Sequence, residues 1–166
     1  KPITLTATSI GTTSVQLGWT EAGTATQWEI LVLPLGSPVP NPGTPGTLVT
    51  TNPFVWNSLT PGTGYTFFVR AKCSGTDFSF YSNGANFSTK PLNDECATAL
   101  TVPVNTDMNC TLVTPGTITG ATNSGLPAST CGGTADDDTW FSFTATSNAH
   151  IINFNNIPKI NGLIYC

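Results

Sequence analysis

The sequence predicts an all-β fold of many short strands. Three observations carry that expectation. Charged residues make up only 8% of the 166, while hydrophobic residues reach 39% with four Trp and nine Phe. Such a chain has apolar surface enough for cores and too little charge to stay unfolded by repulsion. Short runs alternate apolar with polar residues, the period of a strand with one buried face. The 16 Gly and 13 Pro fall between those runs and punctuate turns. No helix-period segment of useful length interrupts them.

Taken in order, Ile3, Leu5 and Ala7 alternate before Gly11 turns the chain. Val15, Leu17 and Trp19 follow, with Gln16 and Gly18 on the other face. Trp28, Ile30 and Val32 form a third strand that ends at Pro34. The stretch from Leu35 to Gly46 holds four Pro and three Gly, and each Pro removes a ladder donor, so it reads as a long exposed loop. Thr47 to Thr51 and Phe54 to Leu59 are short strands, and Pro61-Gly62 is a turn. Tyr65, Phe67 and Val69 alternate inward, which leaves Phe68 and Arg70 outward. Phe87 and its neighbours make the last strand before Lys90-Pro91. About seven strands in about ninety residues is the count expected of a small β-sandwich.

Charge and hydropathy narrow the function classes. The net charge is −4, and the five Lys and Arg are scattered. Nucleic acid and anionic membrane surfaces both need clustered cations, so neither is an expected partner. No apolar run approaches the roughly 20 residues of a membrane-spanning helix. The five cysteines are Cys73, Cys96, Cys110, Cys131 and Cys166, with no C-x-x-C pair among them. A structural zinc site wants close-spaced ligand pairs, so disulfides in an oxidising compartment are the expected use.

The run Leu59-Thr60-Pro61-Gly62-Thr63-Gly64-Tyr65 has the spacing of a tyrosine corner, where the phenol bonds back to the backbone upstream. With Trp19, Val69-Arg70-Ala71 and Phe87-Ser88-Thr89, it resembles the fibronectin type III family over residues 1–90. The resemblance implies that Trp19 and Tyr65 are structural. Trp28-Glu29-Ile30, the Pro-rich loop and Phe67 to Cys73 look more narrowly like type III modules of large secreted Bacteroidota proteins. Such proteins use the type IX secretion route and are displayed on the cell surface. In many of those modules the cysteine after the R-A pair has a partner. Residues such as Leu35 and Ser88 hold the partner places here, which implies that Cys73 is a free, buried thiol.

Residues 91–93 read as a linker and 94–166 as the start of a second domain. The order N-D-x-C, C, C, D-x-W-F-x-F-x-A, from Asn93 to Ala145, resembles a jelly-roll-like module of the same exoproteins. The resemblance makes Trp140 structural and favours the disulfides Cys96–Cys110 and Cys131–Cys166. Four cysteines allow three connectivities, so other pairings stay open. Strands keep starting up to Cys166, and the Lys-Pro steps at Lys1-Pro2 and Lys90-Pro91 look like repeated module junctions. The expectation is an excerpt from a longer string of domains, extending on both sides.

Candidate sites are few. Asp136-Asp137-Asp138 is the only acidic run, and Asp94 and Glu95 would close a calcium site if the segment start folds near it. Calcium takes six to eight oxygen ligands, so Asp94, Glu95, Asp136 and Asp138 are candidate ligands, against the alternative of a solvated turn. Calcium is the one candidate cofactor. His150 is the sole histidine, and no nucleophile elbow or metalloprotease motif surrounds it. Trp56, Phe78 and Tyr81, with Phe68 and Phe80, offer a platform for a sugar or protein surface. The alternative is packing, above all for Trp56 and Phe80. Asn86-Phe87-Ser88 and Asn109-Cys110-Thr111 match the glycosylation acceptor pattern, which the bacterial resemblance makes irrelevant.

The resemblances together imply a non-catalytic module pair of a secreted or surface-displayed, gliding-associated adhesin, acting as spacer and binding surface. Its partners would be an extracellular glycan or protein surface, the outer-membrane secretion and anchoring machinery, and neighbouring modules. The alternative is an accessory, carbohydrate-binding region of a secreted multidomain hydrolase.

Overall fold

The computed structural model describes residues 1–125 and 137–155. The first ninety residues close into two facing sheets. One carries β1 (Ile3–Thr8), β2 (Val15–Thr20) and β5 (Phe54–Trp56) in the order β1-β2-β5. The other is built on β3 (Trp28–Pro34) and the long β6 (Gly64–Ser74). β4 (Thr47–Val49) flanks β3, while β7 (Asp77–Phe78) and β8 (Ala85–Ser88) both pair with β6. All pairings in the sandwich are antiparallel, and β3 runs against β6 in unbroken register from Trp28↔Ala71 to Pro34↔Tyr65.

The inward residues are those that alternation predicts. Val15, Leu17, Ile30, Phe67 and Val69 are fully buried, and Trp19, Trp28, Leu59 and Phe87 join them. Trp19 and Trp28 meet edge to face at 5.3 Å, an arrangement that suits their quadrupoles. Burial of this cluster is the main favourable term holding the sheets together.

The tyrosine corner forms as its spacing predicts. The Tyr65 hydroxyl accepts a hydrogen bond of 2.9 Å from the Thr60 amide, and the ring stacks on Phe87 at 5.5 Å. Tyr65→Phe keeps the stack and orphans the amide, so urea denaturation should show a loss of about 1 kcal/mol.

Beyond the sandwich the described residues carry a 3-10 turn at Cys96–Thr98 and one short parallel pair, β9 (Leu100–Thr101) with β10 (Phe141–Ser142). No strand forms at Ile152 and Phe154, whose alternation suggests one. The jelly-roll-like expectation therefore rests on the resemblance alone.

Candidate functional site

The polar centre of the sandwich lies on the outer face of the β3–β6 pair. Register places Glu29 directly opposite Arg70. The Arg70 Nε and Nη2 groups both donate to Glu29 Oε2, at 2.9 and 2.6 Å. Nη1 donates to the Pro42 carbonyl. Phe78 and Tyr81 flank the guanidinium, with ring centroids 4.3 and 4.7 Å from Cζ. A planar, weakly hydrated cation suits such a slot better than an ammonium would.

The same residues hold the Pro-rich loop. Glu29 Oε2 accepts from the Gly46 amide at 3.1 Å, and the Tyr81 hydroxyl donates to the Thr44 carbonyl at 2.9 Å. At the other foot the Gly36 amide donates to Thr66 Oγ1 at 2.9 Å, and the Leu35 amide donates to the Gly64 carbonyl at 3.1 Å. Burial pushes the Tyr81 phenol above its ordinary 10.0 and outweighs the Arg70 charge, so it stays a neutral donor at physiological pH. Tyr81→Phe should cost about 1 kcal/mol, and proton exchange at Gly46 should speed up with it.

This geometry corrects the aromatic-platform expectation. Tyr81 is only 2% exposed and Phe78 is half-buried against Arg70. Trp56 is half-buried and packs on the core edge-on to Phe54 at 6.3 Å. Tyr81 is enclosed by the fold, while Phe78 and Trp56 each keep part of their surface exposed. Phe68 and Arg70, outward by alternation, are buried because residues 78–82 and the loop cover that face. Phe80 runs the opposite way: it reads as a packing residue and is 71% exposed.

A second polar cluster lies at the end of the sandwich. Asp94 Oδ2 accepts from Lys90 Nζ and from Thr122 Oγ1, both at 2.8 Å, and Oδ1 accepts from the Thr122 amide at 2.6 Å. Lys90 also donates to Thr122 Oγ1 at 2.9 Å. Burial alone would raise the Asp94 carboxyl. The hydrogen bonds from Lys90 and Thr122, with the Lys90 charge, hold it below its ordinary 3.8. A carboxyl lowered on folding stabilises the fold at all pH above its ordinary value, and that contribution is lost as pH falls through the lowered one. An acid titration followed at the Thr122 amide should therefore show no transition until pH drops below the ordinary carboxyl value.

The proposed calcium ligands meet this cluster only in part. Asp138 Oδ2 accepts from the Ser124 amide at 3.1 Å, two residues from Thr122, and Glu95 is exposed. Asp136 lies outside the described residues. Among the described residues no three His, Cys, Asp or Glu side chains gather where they could hold a metal ion. The Asp94 oxygens are taken up by protein donors.

With the two sheets and both polar clusters in place, comparison with known proteins is informative. The family model described as Fibronectin type III domain matches residues 1–86, just over half of the chain. The chain belongs to the fibronectin type III family. A search of curated proteins finds no match. Among solved structures, the chain is similar to the FN5 domain of Drosophila Lar, at 22% identity and a TM-score of 0.41, over 54% of this chain and 94% of that one. It is also similar to the fn3 domain of human collagen alpha-1(XX), at 24% identity and 0.42, over 54% and 83%. A third similarity is to chitinase ChiA74 from Bacillus thuringiensis, at 27% identity and 0.41, over 54% of this chain but only 13% of that one. Domains of the family are generally non-catalytic, are typical of extracellular proteins and commonly bind partner surfaces. Among the described residues no helix is long and apolar enough to cross a membrane.

The cysteines of the fibronectin type III domain and its neighbour behave differently from the expectation. Cys73 is a free thiol as expected but exposed; it lies beyond the pairing of β6 with β3, which ends at Ala71, in the stretch that turns back into β7. The Cys96–Cys110 bridge implied by resemblance is not formed. Cys96 is an exposed thiol on the 3-10 turn, and Cys110, at φ 51, accepts from Asn153 Nδ2 at 3.3 Å. Cys131 and Cys166 lie outside the described residues. His150 accepts the Thr146 and Ser147 amides at Nε2, at 3.1 and 3.3 Å, and so closes a local turn. Trp140 has a structural place: its indole donates to Ser124 Oγ at 3.0 Å.

Proposed function

We propose that this chain is a spacer and binding region of a secreted or surface-displayed bacterial adhesin. The observation that carries the reading is the anchored Pro-rich loop. Buried Glu29, Arg70 and Tyr81 hold it from beneath, while Pro38, Val39, Asn41, Pro42 and Gly43 stand exposed along it. A loop fixed before contact loses less conformational freedom on binding, which favours affinity. The family's usual role on partner surfaces supports the binding part. The bacterial source, the type IX export route and the anchoring partners rest on the sequence resemblances.

Beads coated with the chain, tested on arrayed glycans and on protein-coated surfaces, decide the matter. Replacing residues 38–43 by a Gly-Ser linker of equal length should cut retention at least tenfold while circular dichroism stays unchanged. Equal retention would remove the loop from the reading. No retention on any surface would overturn the binding role itself.

A further inference from the structure

The chain does not leave the fibronectin type III sandwich through a free linker. Its backbone is held up to residue 90: the Thr89 amide donates to the Thr63 carbonyl, the Lys90 amide to the Gly11 carbonyl, and the Lys90 carbonyl accepts from Gly62, each at 3.0 Å. Pro91 and Asn93 are then buried, with only Leu92 between them exposed. Asn93 exchanges two bonds with Trp140: its carbonyl accepts from the Trp140 amide at 2.8 Å, and its Nδ2 donates to the Trp140 carbonyl at 2.9 Å. Asp94 is bonded back to Lys90 and across to Thr122.

Close approach tightens the arrangement. Gly120 sits at φ +72, and a Cβ there would overlap the Thr89 carbonyl oxygen. Only glycine lets residues 120–124 lie this near the last residues of the sandwich. The Asp94 side chain of the ion pair is 5% exposed and that of Lys90 31%, so bulk salt screens the contact less than it would a surface pair. A hinge needs residues free to change φ and ψ. Here the backbone or side chains of Thr89, Lys90, Asn93 and Asp94 are all committed.

We infer that residues 89–94 form a rigid, charge-locked joint, so that the sandwich and the residues bonded to it, 93–102, 120–124 and 138–142, move as one body. The inference stands on these contacts and not on the adhesin reading, so either can fail without the other. Nitrogen-15 relaxation of the 166-residue chain tests it. The amides of Val69 and Ala71 in β6, and of Val102, Thr122 and Trp140 beyond the joint, should report one rotational correlation time. Two distinct times would overturn the inference.

Variants then test the lock. Asp94→Asn removes the charge and keeps the shape, and Gly120→Val blocks the close approach. In each, Thr122 amide exchange should rise about tenfold or more, the loss expected for a hydrogen bond to a charged acceptor. The correlation time of the sandwich should shorten toward that of the smaller body, with Val69 still protected. Unchanged tumbling and exchange in both variants would refute the charge lock. If either variant fails to fold, the wild-type correlation times still decide whether the joint is rigid.

Discussion

Arg70→Met is expected to destabilise the sandwich by about 3–5 kcal/mol, the cost of leaving one member of a buried ion pair without its partner. Arg70 and Glu29 side chains are only 6% and 11% exposed, so water cannot take over the role of the lost guanidinium. The Pro42 carbonyl loses its donor as well, and Phe78 and Tyr81 lose the group between them. A urea titration reads the effect directly. The double variant Arg70→Met with Glu29→Leu should recover most of the loss, because buried ion pairs can be replaced by apolar side chains of similar volume at little net cost. A loss below about 1 kcal/mol in the single variant would place the pair among solvated surface bridges.

Phe68→Ala should cost a similar amount, about 3–5 kcal/mol for a buried Phe truncated to Ala. Phe68 is 1% exposed on the face opposite the main core. It presses so close to Gly84 that a Cβ there would come within 2.8 Å of its ring. Alternation alone would make this substitution harmless, so the measurement separates the two readings of that face. A change within about 0.5 kcal/mol, typical of surface substitutions, would mean that the outer face is not a packed layer.

That contrast shows where the sequence was legible. β3 ends at Pro34 and β6 turns Tyr65, Phe67 and Val69 inward because period and proline are local signals. The spacing from Leu59 to Tyr65 is local too, and it yields the observed Thr60–Tyr65 bond. The outer face is different. Alternation presumes that one side of an antiparallel sheet is wet, and here a distant loop folds back over it. Glu29 and Arg70 are 41 positions apart, so their opposition depends on a register that only the folded sheet supplies. The same covering takes in two of the aromatic candidates. Tyr81 and Phe78 carry an aromatic platform's chemistry but turn it toward Arg70. Lys90 and Asp94 were nearer to view, four residues apart, but their partner Thr122 comes from the far segment.

The buried Glu29–Arg70 pair on the outer face of the β3–β6 sheet fixes the Pro-rich loop in place. Amide hydrogen exchange at Gly46 and Gly36 tests it most directly. One amide donates to Glu29 and the other to Thr66, on opposite feet of the loop. Both should be strongly protected at neutral pH, and protection at Gly46 should collapse in Arg70→Met. Exchange at the rate of a free peptide at both positions in the unmodified chain would contradict the account.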